Sequence, residues 1–273
     1  SARTRLGLDK PLPVQYGIFI RDVLHGNFGK SYIYGKPAMD LIFERMPATL
    51  ELVAVAACLV LCIAIPLGVY AGAYPKRASS KLIMSGSILG ISLPSFWVGM
   101  MMIYIFAVVL RLLPASGRGN TVMVGNVALS IFAPGGIRYV ILPAITLALT
   151  NVATMLRLTR SGILENMRQD YIKFARAKGV PAKSILFGHA LKNALIPVVT
   201  IFGMDLGNMI AFTTITETIF AWPGMGKLLI DAINKSDRPI IVAYLMAAAC
   251  MFVVLNFIVD ILYTLIDPRI ELR

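Results

Sequence analysis

The chain has 273 residues, of which 58% are hydrophobic and only 15% charged, and its mean hydropathy is +0.76. A soluble domain carries about a quarter charged residues, so this composition excludes one and points to an integral membrane protein. The net charge of +12 is read as membrane topology and not as affinity for nucleic acid, because no aromatic-interleaved basic patch or DNA-binding motif accompanies it.

Residues 1–47 are mixed and polar, with a turn at Gly7-Leu-Asp-Lys-Pro11. Val14 to Leu24 is predicted as a short amphipathic helix with Tyr16, Phe19 and Ile20 on one side. Gly26-Asn-Phe-Gly29-Lys30-Ser31 imitates the end of a phosphate-binding loop, but Leu24 stands where its first Gly belongs and no hydrophobic strand precedes it. Pro37 to Met46 reads as another surface helix. The first membrane span is expected over Ala48–Tyr74, with Glu51 as its only charge and with Pro66, Gly68 and Gly72 inside it. Small residues let neighbouring helices approach, and a membrane helix tolerates Pro where neighbours satisfy the freed carbonyl.

A basic link, Pro75–Lys81, leads to the second span, Leu82–Leu110. This stretch is longer than the ~20 residues a bilayer requires. Gly86, Gly90, Pro94 and Gly99 predict a tilted, kinked or broken helix. Arg111–Arg138 is a Gly- and Pro-containing link with room for one surface helix. The third span, Tyr139–Leu156, ends at Arg157 and Arg160. The fourth, Ala194–Thr216, carries Asp205 near its middle. A polar link, Glu217–Pro239, contains Trp222-Pro223-Gly224 and precedes the fifth span, Ile240–Ile266, with Asn256 and Asp260 inside it. The expected fold is an all-α polytopic transmembrane helical bundle of five spans. Its two parts are an extracytoplasmic segment with short surface helices, 1–47, and a membrane domain, 48–273. Cys58, Cys62 and Cys250 lie in apolar stretches and read as buried small hydrophobes, so no metal site is expected.

Orientation follows from the short loops. Residues 75–81 hold Lys76, Arg77 and Lys81, and residues 157–192 hold eight Lys or Arg against Glu165 and Asp170, so both should be cytoplasmic. Five spans then put residues 1–47 outside and Arg269 inside. A translocated basic segment needs a preceding span, so a sixth span upstream is expected in the full-length protein.

The most informative stretch lies between the third and fourth spans. Gln169 to Gly179 and Val180 to Pro197 form two helical runs broken once, at Gly179-Val180-Pro181. Tyr171, Ile172, Phe174 and Ala175 supply apolar contacts. Arg168, Lys173, Arg176 and Lys178 supply charge. Ile185, Leu186, His189 and Leu191 recur at helical spacing. A helix, a Gly turn and a second helix make a rigid knob for docking something soluble. The plainer alternative is a solvated basic loop at a membrane face.

These residues resemble the cytoplasmic coupling motif of ABC importer permeases, in the form used by the dipeptide/oligopeptide/nickel family, first-permease type. The resemblance rests on Tyr171, then Ala175-Arg176-Ala177-Lys178-Gly179, then His189-Ala-Leu-Lys-Asn193 and Pro197. Lys173 and Phe174 stand where the general importer pattern has Glu and Ala, a departure shared with the peptide subclass. Arg45–Leu52, Ile65–Val69, Ile141–Ala144, Arg157–Ser161, Thr216–Gly224 and Asp267–Ile270 fit the same family in order. The resemblance implies a permease subunit, not an enzyme, that moves peptides or similar small solutes across a bacterial or archaeal inner membrane. It implies a coupling region at 161–193, in which Tyr171, Ala175, Arg176, Ala177, Lys178, Gly179, His189 and Asn193 meet an ATPase. Its partners would be a homologous second permease subunit, two ATPase subunits, an extracytoplasmic substrate-binding protein and membrane lipid. No cofactor is expected in this chain, ATP and magnesium belonging to the ATPase subunits.

Within the membrane, Asp205, Asn208 and Asn256 are candidates for the translocation path. Asp205 either faces a polar cavity or hydrogen-bonds to Asn256, and Asp260 is expected to pair with Arg157 or Arg160. Trp222, Pro223 and Gly224 are either a fold-back element at the outer gate or a packed turn with an interfacial Trp. His189 is expected to fix the coupling helix. Two rival classes remain open. An ion-coupled secondary transporter would show inverted repeats with paired broken helices. An intramembrane aspartyl protease would pair Asp205 with Asp260 but needs a Gly-x-Gly-Asp context that Gly203-Met-Asp205 lacks.

Overall fold

The computed structural model describes residues 11–266. Helix α1 (Leu12–Leu24) precedes the long α2 (Ala38–Ala73). Then come α3 (Ala78–Ser92) and α4 (Ser95–Met102), the latter prolonged by a wide π-helical turn at Ile103–Val109. A two-stranded hairpin, β1 (Val122–Val124) and β2 (Val127–Leu129), leads to α5 (Ile137–Asn166) and the short α6 (Asp170–Ala177). Helix α7 (Ala182–Ile219), with a π-turn at Ile185–Ala190, is followed by α8 (Met225–Asn234) and α9 (Arg238–Ile266).

Four of the described helices, α2, α5, α7 and α9, are long and apolar enough to cross a membrane. Helices α3 and α4 form an apolar pair, bent by 106° at Leu93-Pro94, whose combined length and composition suit either a fifth, broken span or a re-entrant loop. Pro94 sets φ at −60° and cannot donate to the preceding turn, so the break falls where the sequence placed it. Pro66, by contrast, stays inside an unbroken α2, as does Pro47.

The core is built around α2 and α5. Leu52, Val60 and Ala64 of α2 meet Val140, Ala144, Met155 and Leu156 of α5, all within one buried cluster. Gly68 and Gly72 let the two backbones touch. A Cβ on Gly68 would lie 2.6 Å from Cβ of Thr159, and one on Gly72 would lie 2.7 Å from Cβ of Ile163. Helix α9 lies against α7 in the same manner, Val259 and Phe252 filling the space above Gly203 and Gly207.

Four expectations are corrected. Pro37–Met46 is not a separate surface helix. It is the first turns of α2, with Ala38, Leu41 and Ile42 buried against Met225, Leu228 and Ile240. The third span runs on to Asn166, so Arg157 and Arg160 lie inside a continuous helix. The Arg111–Arg138 link holds a hairpin and no helix, with Val122 paired to Leu129 and Val124 to Val127. The three cysteines are exposed on the surface of the chain, because in a membrane protein apolar residues face outward toward lipid or partners as well as inward. The 7–11 turn (in its first residues), Asp267-Pro-Arg-Ile270 and the side chain of Asp260 lie outside the described part.

Candidate functional site

The knob forms where the local sequence leaves the chain little choice. Gln169, extended at ψ 152°, opens α6, and Asp170 sits in its first turn, where a carboxylate favours the helix dipole. The Lys173 ammonium, 2.8 Å from Asp170, holds that carboxyl below the usual carboxylate range. Arg176 occupies the last turn. The helix then ends in a Schellman cap. The amide of Val180 donates to the carbonyl of Ala175 at 3.1 Å, and that of Gly179 to Arg176 at 3.0 Å. Gly179 has φ +80°, a conformation that side-chain-bearing residues adopt at a cost. Pro181 directly precedes α7, whose first amides need no intrahelical partner.

Three attachments fix the knob to the membrane helices. Ile172 is fully buried, as is Ile185 on the facing π-turn. The Tyr171 hydroxyl donates to Oδ1 of Asn166 at 2.8 Å and accepts from Nδ2 of Asn193 at 3.0 Å. One phenol thus ties α6 to the end of α5 and to α7. Behind it, Ala190 and Ala194 of α7 share a buried cluster with Ile163 of α5 and Val69 of α2. Packed side chains thus connect the knob to the two central helices.

The outward face of the knob is exposed and mixed. Phe174 and Phe187 are 63% and 56% exposed. The Lys178 ammonium lies 4.5 Å from the centroid of the Phe174 ring. Arg176, Ala177, Lys178 and Gly179 all face outward, and Ala175 is half-buried. No atom approaches the Gly179 position within 4 Å, so a close-fitting partner surface has room there. A polar cleft of about 490 Å³ adjoins the knob, lined by Ser161, Glu165, Arg168 and Asp170 among others. The His189 side chain is exposed and makes no hydrogen bond among the described residues, so Ile172, Ile185 and the Tyr171 clasp hold the helix where His189 was expected to.

In the membrane, Asp205 is half-buried beside Asn208, one turn along the same helix, and makes no hydrogen bond to Asn256. Asn208 is exposed and Asn256 half-buried. The structure therefore gives Asp205 a local partner and joins none of the three across helices.

The opposite end of the bundle holds polar groups that sequence reasoning did not connect. Glu51 of α2 is 5% exposed and pairs with Arg118. It also accepts from the amides of Ser130 and Ile131 at 2.7 Å, which docks the hairpin end onto the bundle. Glu217, fully buried at the end of α7, accepts from Thr49 Oγ1 at 2.6 Å and from the Lys227 amide at 2.9 Å. Asp237 accepts from the Ser31 hydroxyl and from the Tyr32 amide. Trp222 is not interfacial. It is wholly buried, and its Nε1 donates to the carbonyl of Ala48 at 2.8 Å. A Cβ on Gly224 would overlap the Glu217 carboxylate, so the Trp222-Pro223-Gly224 turn is packed tightly on α2 and α7.

Comparison with known proteins agrees with this architecture. Residues 64–272 match the family described as binding-protein-dependent transport system inner membrane component. The chain is 38% identical over 283 residues to the probable D,D-dipeptide transport system permease protein DdpB of Escherichia coli (strain K12), covering 99% of this chain and 83% of that protein. It is 40% identical over 268 residues to the oligopeptide transport system permease protein AppB of Bacillus subtilis (strain 168), covering 98% and 83%. Among solved structures, an inward-facing form of the MetNI methionine ABC transporter superposes with a TM-score of 0.64 at 16% identity, over 84% of this chain and 97% of that one.

Proposed function

The chain belongs to the family of inner membrane components of binding-protein-dependent transport systems, and from that premise we propose that it is the peptide-translocating permease of an ATP-driven importer. The observation that carries the coupling role is the Tyr171 clasp, which fastens an exposed, slim, basic knob to both flanking spans. Peptides are the substrate class because the relatives just described are peptide permeases. Asp205 with Asn208 is retained as a candidate polar point on the path.

The mechanism is two-state. An ATPase subunit, which carries ATP and magnesium, closes and carries the knob with it. Ile172 and Ile185, packed in the interior, resist any sliding of α6 against α7. Tyr171 passes the displacement to Asn166 and Asn193, hence to α5 and α7. The membrane helices then exchange an inward-open for an outward-open arrangement. Arg176 and Lys178 would meet acidic or carbonyl groups of the ATPase. The knob then marks the cytoplasmic face. Residues 11–47 and 217–239, joined to each other by the Ser31–Asp237 hydrogen bond, would form the landing surface for an external binding protein. A second, homologous permease would complete the cavity.

The test is purification of the tagged full-length protein in mild detergent, identifying co-purifying partners by mass and assaying ATPase activity. Co-purified ATPase subunits that are lost with Gly179→Asp are the expected result. A protein that purifies alone and moves solute in vesicles without ATP would overturn the reading and favour an ion-coupled transporter.

A further inference from the structure

At the end of the bundle away from the knob, the chain leaves α4 through an unusual turn. Arg111 has φ +53°, a left-handed conformation uncommon outside Gly, Asn and Asp. The turn is held because the amides of Leu112 and Leu113 both donate to the carbonyl of Phe106, at 2.9 and 3.2 Å. This fold-back places Arg111 on the wall of a cleft of about 510 Å³, together with Pro114, Asn120, Arg138 and Tyr139. The Tyr139 ring is pinned in that wall by Gly119, where a Cβ would lie 2.6 Å from the ring.

Neither arginine side chain has an ion-pair or hydrogen-bond partner among the described residues. Arg118, close by in sequence, is wholly taken up by Glu51 and the carbonyl of Ala128. Two uncompensated guanidinium groups thus share one cleft, and their forked donors suit the oxygens of a phosphate. Leu112 lines the cleft and is 62% exposed, and the residues preceding the two arginines in the chain, Leu110 and Ile137, are 49% and 56% exposed. Helix α5, of 30 residues, spans about 45 Å between this cleft and the knob, against about 30 Å of bilayer hydrocarbon. The cleft therefore sits at headgroup level, in the leaflet opposite the knob.

We propose that this cleft binds the phosphate of an anionic phospholipid headgroup, through Arg111 and Arg138, while Leu110, Leu112 and Ile137 contact its acyl chains. Two exposed positive charges with no counter-ion among the described residues favour a net negative headgroup over a zwitterionic one. Exposed Leu112, with Leu110 and Ile137 next to the arginines in the chain, favours a lipid over a free anion, which would leave those side chains in water. The site does not depend on the transport reading, since it rests only on Arg111 and Arg138 sharing this cleft in a membrane-embedded chain.

The experiment uses the complete purified complex in mild detergent, with bound lipid read by native mass spectrometry. Its arms are phosphatidylglycerol, phosphatidylcholine, soluble glycerol phosphate and inorganic phosphate. The wild type should retain phosphatidylglycerol over phosphatidylcholine by about tenfold. The double variant Arg111→Asn, Arg138→Gln should lose the preference, Asn being chosen because it accepts positive φ. Neither soluble anion should displace the lipid. Equal retention of the two lipids by the wild type overturns the proposal, whether or not the variant assembles. Undiminished preference in a folded double variant, or displacement by either soluble anion, overturns it too.

Discussion

The two ends of the molecule use polar residues in opposite ways. At the end carrying the hairpin and α8, three carboxylates are buried, and each is satisfied by partners far away in sequence: Glu51 by Arg118 and Ser130, Glu217 by Thr49, Asp237 by Ser31. At the knob the charges face outward, and the one described ion pair, Lys173–Asp170, is local and exposed. Buried and fully partnered groups fix a single arrangement, because breaking any one bond leaves its partner stranded. Exposed charges cost little to rearrange, so a surface built from them is free to meet another protein. The first end locks the fold, and the second is left available for contact.

The comparison predicts effects of graded size. Glu51→Ala strands the Arg118 guanidinium and the Ser130 and Ile131 amides, and removing one partner of a buried pair costs about 3–5 kcal/mol. Thermal denaturation in detergent should show a strongly destabilised protein, partly rescued by replacing Arg118 with Met in the same chain. An unchanged melting temperature would mean the buried network locks nothing. Tyr171→Phe keeps the ring but loses both hydroxyl bonds, about 1 kcal/mol each. Here the protein should assemble and its partners hydrolyse ATP, while solute moved per ATP falls severalfold. Unaltered stoichiometry would leave Ile172 and Ile185 as the whole attachment.

Asp170→Asn should have the smallest effect, its side chain being 94% exposed. Its sign is nevertheless fixed. The folded pKa is depressed by Lys173, so the group's contribution is present above the ordinary aspartate pKa and lost as pH falls through the lower, folded value. The small difference in assembly between wild type and Asp170→Asn should thus be constant between about pH 5 and 8. A difference that changes with pH inside that range would show that Asp170 is coupled to another titrating group.

Much of the fold was legible because membrane spans announce themselves by composition. The break at Pro94, the helix over Leu12–Leu24 and the helix–Gly179–helix knob all rest on local chemistry: a fixed φ, an amphipathic run, a positive φ. The hairpin was missed although its signal was present. Gly125-Asn126 stands between Val122-Met-Val124 and Val127, a turn dipeptide flanked by β-branched residues. The continuity of α2 through Pro47 was not legible, since it depends on Ala38, Leu41 and Ile42 finding cover on α8 and α9. Nor were the buried carboxylates, because Thr49 and Glu217 are 168 positions apart and carry no local mark of each other. Glu51 read as an isolated charge at the start of a span, and Trp222 as either part of an outer gate or an interfacial residue on a packed turn, for the same reason.

Gly68 and Gly72 bring α2 and α5 together, with the Thr159 and Ile163 side chains of α5 seated directly against the glycine backbone. In kinematic terms α2 and α5 are then a single rigid link, without play between its halves. Helix α2 is anchored at Glu51 to the hairpin end, and α5 terminates at Asn166 under the Tyr171 hydroxyl. On the coupling role proposed above, a push on the knob is passed along that link and taken up where the helices are irregular: the 106° elbow before Pro94 and the over-wide turns at Ile103–Val109 and Ile185–Ala190. A bulky residue at Gly68 or Gly72 would not merely weaken packing. It would split one lever into two and move the fulcrum of the whole subunit.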